Sequence, residues 1–267
     1  MLMLENRVGQ PLVAAQENVS APLLDLEITA LTKKFGSTPV LRGVSISIEA
    51  GSIVALIGAN GAGKSTLLRS CIRLIEPDSG IIKMLGTELT NTRQKDLRIA
   101  RSQIGFVFQK HNLSSRLSAL SNVIHGAQAR HFGPRVWLQC FASQTLREEA
   151  MEKLSAVGLA HKAVDRADRL SGGQSQRVAI ARALMQRPRM ILADEPVASL
   201  DPNSGQEVME LMARLARTQG ATLVFTTHNL QHAKDYADRV IGLKDGLVGL
   251  DQPISHFSPA MAEELYV

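Results

Sequence analysis

The chain has 267 residues and is 45% hydrophobic, enough for one large domain or two small ones around a substantial core. Its 30 Lys and Arg against 25 Asp and Glu give a formal charge of +5. That balance favours phosphate ligands or an anionic surface, but it lacks the dense basic stripe of a nucleic-acid binder. Cys71 and Cys140 lie far apart with no CxxC spacing, which argues against a disulfide framework or zinc site and reads as two small buried apolar residues in a reducing compartment.

The opening "MLMLENRVGQPLVAAQ" meets Glu5 before any long apolar core develops, so residues 1–23 are expected to be a loose, flexible tail. No uncharged apolar run approaches the roughly 20 residues of a membrane helix, so any membrane role is that of a peripheral subunit. "LLDLEITALTKKF" and "VLRGVSISIEAGSIVALIG" are rich in β-branched residues and punctuated by Gly36, Gly43 and Gly51, which predicts short strands joined by turns. "SIVALIG" is nearly continuous in apolar residues. Followed by a glycine-rich turn and a helix carrying Leu67, Leu68, Cys71, Ile72 and Ile75, it reads as a buried parallel strand feeding a helix.

The basic run 93–101, "RQKDLRIAR", contains Asp96 and apolar residues and reads as a solvated helix face. From about 111 to 185, "NVIHGAQARHF", "SQTLREEAMEKLSAVGL" and "SQRVAIARALM" carry helical spacings, predicting a helical insertion in the α/β core. Strand character returns in "RMILADEP". A helix over 204–219, the strand "ATLVFTTH", a helix over 231–238 and the strand-like "RVIGLKDGLVG" follow.

"GANGAGKST" matches the phosphate-binding loop G-x-x-x-x-G-K-[ST], placed between a buried strand and a helix. Its glycines let backbone N–H groups wrap a phosphate, Lys64 reaches the β and γ phosphates, and the Ser65 hydroxyl can ligate magnesium. "RMILADEP" ends a strand in Asp194, able to hold the magnesium shell, and Glu195, placed to take a proton from the water that attacks the γ-phosphate. No Asn-Lys-x-Asp guanine motif is present. Ser171 to Gln174 is S-x-x-Q, a capping box ahead of Val178, Ala181 and Leu184. A plain cap has no need of both Gly172 and Gly173, each up to about 1 kcal/mol worse than Ala inside a helix, so a closely approaching ligand is expected there.

"LSGGQSQR" resembles the signature of ATP-binding cassette ATPases, and the resemblance extends from residue 24 to about 253 with the other motifs in order. It implies the P-loop NTPase cassette fold, an α/β class with a RecA-like core (24–109 and 186–267), an antiparallel β subdomain and an inserted helical subdomain (110–185), forming a single ATP-binding domain over 24–267. By that resemblance Phe35 in "KKFG" stacks on adenine, and Gly58, Ala59, Asn60, Gly61, Ala62, Gly63, Lys64, Ser65 and Thr66 hold the ATP phosphates. Gln109 in "GFVFQ" contacts magnesium and the attacking water, and His228 in "TTHNL" contacts the γ-phosphate. Glu195, His228 and Gln109 form the catalytic set, and Ser65, Gln109 and Asp194 the Mg2+ set. Ser171, Gly172, Gly173 and Gln174, with Asp201 of "ASLDP", bind ATP held by a second subunit. With one cassette per chain, a homodimer is implied.

Cassettes of this kind drive a separate transmembrane permease, and the stretch after Gln109, "KHNLSSRLSALSNVIHG", is expected to line the groove that receives a short coupling helix. Together with the inserted "GPRVWLQCF" and "YADRVIGLKDGLV", it looks similar to the ATP-binding subunit of phosphonate importers. That implies a bacterial inner-membrane transporter fed by a solute-binding protein, with the chain on the cytoplasmic face and no nucleic-acid partner. Ala59 and Asn60 replace the Pro and Ser more usual in that subfamily, and Asn229-Leu230 replaces Gln-Val. These departures leave phosphite, hypophosphite or another oxyanion as alternative cargoes. An exporter cassette and a soluble cassette are the other readings.

Overall fold

The computed structural model describes residues 23–131, 133 and 139–266. The expected tail, apart from Leu23, and most of "GPRVWLQCF" lie outside them.

Two sheets form the framework. In the first, β1 (Leu24–Phe35), β2 (Thr38–Glu49), β4 (Ser79–Met84) and β5 (Thr87–Glu88) run antiparallel in the order β2-β1-β4-β5. The second contains β3 (Ile53–Ile57), β6 (Ile104–Val107), β7 (Met190–Ala193), β8 (Thr222–Thr226), β9 (Arg239–Lys244) and β10 (Leu247–Pro253), in the order β10-β9-β3-β8-β7-β6. All its pairings are parallel except β9 with β10. The final strand-like stretch is thus a hairpin rather than one strand. The chain reverses at Asp245 and Gly246, both at positive φ (50° and 74°), the backbone that a two-residue hairpin turn requires. Strands β4, β5 and β6 were not separately legible, being short and carrying little alternation.

Every residue of β3, β7 and β8 is buried, which explains the continuous apolar runs of β3 and β7 and the apolar centre of β8. Because successive side chains point to opposite faces, Ile53, Ala55, Ile57, Ile191, Ala193, Leu223 and Phe225 enter one core. Val54, Leu56, Met190, Leu192 and Val224 enter the other, shared with the antiparallel sheet.

Helix α1 (Lys64–Cys71) follows β3, and α2 (Gln94–Ser102) precedes β6. The basic run of α2 is exposed at Arg93, Lys95 and Arg98, while Arg101 donates to the Ile72 and Arg73 carbonyls. Between β6 and β7 in sequence come α3 (Ala119–Ile124), α4 (Gln144–Ala156) and α5 (Gly172–Leu184). Val123, Ala150, Leu154, Val178 and Ala181 share the core that also takes one face of the parallel sheet. Helix α6 (Pro202–Gln219) precedes β8, α7 (Leu230–Tyr236) precedes β9, and α8 (Pro259–Glu263) closes the described fold. Cys71 is buried as expected, but Cys140 is exposed, so only one cysteine behaves as a small core residue.

Candidate nucleotide site

In an open parallel sheet, ligands gather beyond the carboxyl ends of the strands. Here the phosphate-binding loop leaves β3, Thr226 ends β8 with His228 just beyond it, Asp194 and Glu195 follow β7, and Gln109 lies just past β6. The order β3-β8-β7-β6 sets these groups side by side although they are scattered through the sequence.

Gly58 has φ 141° and packs against the Leu243 carbonyl so tightly that a Cβ would collide with it, so the loop can leave β3 here only with glycine. Gly63 caps α1, whose first N–H groups open towards a cavity of about 290 Å3. Val40, Asn60, Gly61, Gly63, Lys64, Ser65, Thr66 and Glu195 line it. Lys64 is buried, and its Nζ donates to the carbonyls of Gly58 (2.8 Å) and Ala59 (3.0 Å). Burial pushes its ammonium pKa down, and the Glu195 and Asp194 carboxylates push it back up. Among the described residues this ammonium donates its hydrogen bonds only to neutral carbonyls, so an arriving phosphate is a better hydrogen-bond partner.

Asp194 is 1% exposed and accepts on both oxygens: from Ser65 Oγ (2.6 Å) and Thr226 Oγ1 (3.3 Å) on Oδ1, and from Arg69 Nε (3.1 Å) and Nη2 (2.8 Å) on Oδ2. A buried carboxylate without such donors would be strongly disfavoured. Glu195 has φ 46°, an unusual backbone for a residue with a side chain. Such strain costs about 1–3 kcal/mol and persists where neighbours enforce it, often at functional sites. Here Thr226 Oγ1 accepts the Glu195 N–H at 2.7 Å, and Gln109 Nε2 donates to Glu195 Oε2 at 3.1 Å.

The Ser65 hydroxyl, the Asp194 carboxylate and the Gln109 amide oxygen are hard oxygen donors, the set that suits magnesium arriving with substrate phosphates. Asp194, which is buried, and Ser65, which is half-buried, already sit within hydrogen-bond distance, so the residues present fit such a cation.

The remaining expected residues stand apart from this cavity. Phe35 is 51% exposed, not a core aromatic, with Lys33 Nζ 5.5 Å from its ring centroid. His228 and Asp201 instead line a neighbouring cavity of about 400 Å3 with Ala198, Leu200 and Thr227. Asp201 caps α6 by accepting from Ser204 N at 3.0 Å. Ser171 and Gln174 form the expected reciprocal cap of α5, at 3.0 and 3.3 Å. The two glycines beside them do have a close neighbour, but within the same chain. A Cβ on Gly172 would lie 3.1 Å from Leu200 Cδ2, and one on Gly173 3.3 Å from Ser204 Cβ. Two residues that touch Asp194, Arg69 and Thr226, went unread in the sequence. Arg69 had a faint signal, its i+4 spacing from Ser65 on one helix face.

A parallel sheet carrying this loop, a strand-end acid pair and a glycine-rich helix cap defines a P-loop ATPase cassette, and the chain belongs to the ABC transporter family, whose pattern residues 41–198 match. It is 44% identical over 233 residues to a phosphonates import ATP-binding protein of Ruegeria, covering 85% of this chain and 88% of that one. A second, from Frankia casuarinae, is 47% identical over 222 residues, covering 83% and 87%. Among solved structures, a dimeric post-hydrolysis ATP-binding cassette bound to ADP and Pi superposes with a TM-score of 0.76 at 34% identity, covering 87% of this chain and all (100%) of that one.

Proposed function

We propose that this chain is the ATP-hydrolysing, magnesium-dependent subunit of a bacterial phosphonate importer. The observation that carries the chemistry is the meeting of Lys64, Ser65, Asp194, Glu195 and Gln109 at the ends of adjacent parallel strands. The names of the relatives carry the cargo.

In this reading the N–H groups of 58–66 and the freed Lys64 ammonium bind the β and γ phosphates. Ser65 and Asp194, with Gln109, would hold magnesium, whose positive charge would offset the negative charge of the phosphates. Gln109 orients the attacking water, and Glu195 takes its proton on a carboxylate oxygen as the new P–O bond forms and ADP departs. His228 holds the γ-phosphate. Phe35, half out of the surface, offers a face for adenine.

Ser171, Gly172, Gly173 and Gln174 lie outside the Lys64 cavity of their own chain, which supports their serving a second copy in a head-to-tail homodimer. Division into a core of 24–109 and 186–267 with a helical subdomain of 110–185 is consistent with α3, α4 and α5 falling between β6 and β7. A cleft of about 510 Å3 lined by Arg69, Leu74, Ile75, Phe108, Gln109, Lys110 and Asn112 is suited to a permease coupling helix. Among the described residues no helix is long and apolar enough to cross a membrane. The import role that the relatives' names carry supports a place at the cytoplasmic face beside a permease, with a solute-binding protein delivering cargo.

Deleting the gene tests this reading. Growth on a phosphonate as sole phosphorus source should be lost and growth on phosphate retained. Loss on phosphite instead would assign the alternative oxyanion cargo, and unchanged growth on every source would overturn the importer reading.

A further inference from the structure

Asp194 is the most enclosed carboxylate at the site, and its two oxygens have different company. Oδ1 accepts from Ser65 Oγ at 2.6 Å and from Thr226 Oγ1 at 3.3 Å. Among the described residues Oδ2 accepts from Arg69 alone, through Nε at 3.1 Å and Nη2 at 2.8 Å. Arg69 stands one helical turn after Ser65 on α1, so both side chains reach the same carboxylate from one face of the helix. The Arg69 side chain is 39% exposed and borders the cleft lined by Gln109, whereas Asp194 is enclosed. An enclosed carboxylate gripped through one oxygen by a rigid planar cation cannot swing, and its other oxygen is left in a fixed place.

We propose that Arg69 is a positioning residue for the cation that accompanies ATP: it holds Asp194 Oδ2 so that Oδ1 stays beside the Ser65 hydroxyl, the pair that would hold the cation. This rests on the reading of Asp194 as the cation-holding carboxylate. Groups that orient metal-binding residues from behind typically change metal affinity 10–100-fold when removed. Lysine in the same place keeps the charge but loses the planar two-donor grip, so it is an incomplete substitute.

The test is Mg2+ titration of the full-length chain with a fluorescent ATP analogue, read by binding, together with binding of the same analogue in EDTA. Arg69→Ala should raise the Mg2+ midpoint about 10–100-fold while binding in EDTA stays at the wild-type level, which also verifies that the variant is folded. Arg69→Lys should fall between the two, and Asp194→Asn should shift the midpoint at least as far as Arg69→Ala. An unshifted midpoint in Arg69→Ala beside a shifted one in Asp194→Asn overturns the proposal alone. An equal loss of binding with and without Mg2+ in Arg69→Ala also overturns it, since the residue would then support the fold and not the cation. If Asp194→Asn leaves the midpoint in place, the carboxylate reading fails and the proposal falls with it.

Discussion

Ser65 Oγ and Asp194 Oδ1 lie 2.6 Å apart although 129 positions separate them in the chain. The contact exists because β8 is the only strand between β3 and β7, so the loop after β3 and the acid pair after β7 flank the end of β8. Thr226, at that end, joins the two halves. Its hydroxyl accepts the Glu195 N–H and donates to Asp194. Thr226→Val keeps the shape and strips the hydroxyl, leaving a backbone donor unpaired. The variant should lose about 1–3 kcal/mol in urea denaturation. Its ATPase rate should also fall, because Glu195 loses the contact that holds its strained backbone.

Glu195→Gln removes the base and keeps the shape. Turnover should drop by about 10²–10⁴-fold while binding of a fluorescent ATP analogue persists. Steady-state ATPase assays and equilibrium titration measure the two separately. Hydrolysis at the wild-type rate would show that another group takes the proton.

The glycines of the α5 cap should separate function from folding. An Ala side chain at 172 meets only the flexible end of Leu200, at 3.1 Å, so Gly172→Ala should shift the melting temperature little while weakening ATP-dependent self-association. Gly126→Ala is the contrast. Its Cβ would run into the backbone carbonyl of Arg182, so it should destabilise by about 1–3 kcal/mol. Thermal melts and light scattering with ATP distinguish the two outcomes.

Acid should weaken the fold through two histidines. Burial lowers the pKa of His111 below 6.5, and burial together with His228 lowers that of His232 despite the opposing Asp235. Both therefore take up a proton less readily when folded than when unfolded. Stability is full above 6.5 and is lost as the pH falls through 6.5 towards the lower folded values. Melting temperatures between about pH 7 and about pH 5 should decline, and the decline should be shallower in a His111→Gln, His232→Gln double variant. Equal slopes would rule this source out.

Much of the fold was legible because its signals are local. β3 reads as buried from five consecutive apolar residues, and the α5 cap from Ser171 and Gln174 alone. The hairpin of β9 and β10 was missed although Asp245-Gly246 carries a turn signal, because apolar residues continue on both sides of it. At the site, the loop and acid pair declare their residue types, but Thr226 and Arg69 do not. A threonine at a strand end and an arginine on a helix are ordinary until strand order places them against Asp194. Leu200 and Ser204 likewise come close to Gly172 and Gly173 only after folding, so these neighbours leave no trace in the local sequence.

The most direct test of the account mixes two defective subunits and measures ATP hydrolysis. Lys64→Ala lacks the phosphate-holding lysine and keeps the α5 cap, whereas Ser171→Arg lacks the cap and keeps the lysine. Each should be nearly inactive alone. Mixed, they should regain activity, because one site per dimer combines an intact Lys64 loop with an intact Ser171 cap from the other copy. No recovery on mixing, or full activity of Ser171→Arg alone at high dilution, would contradict a site shared between two copies.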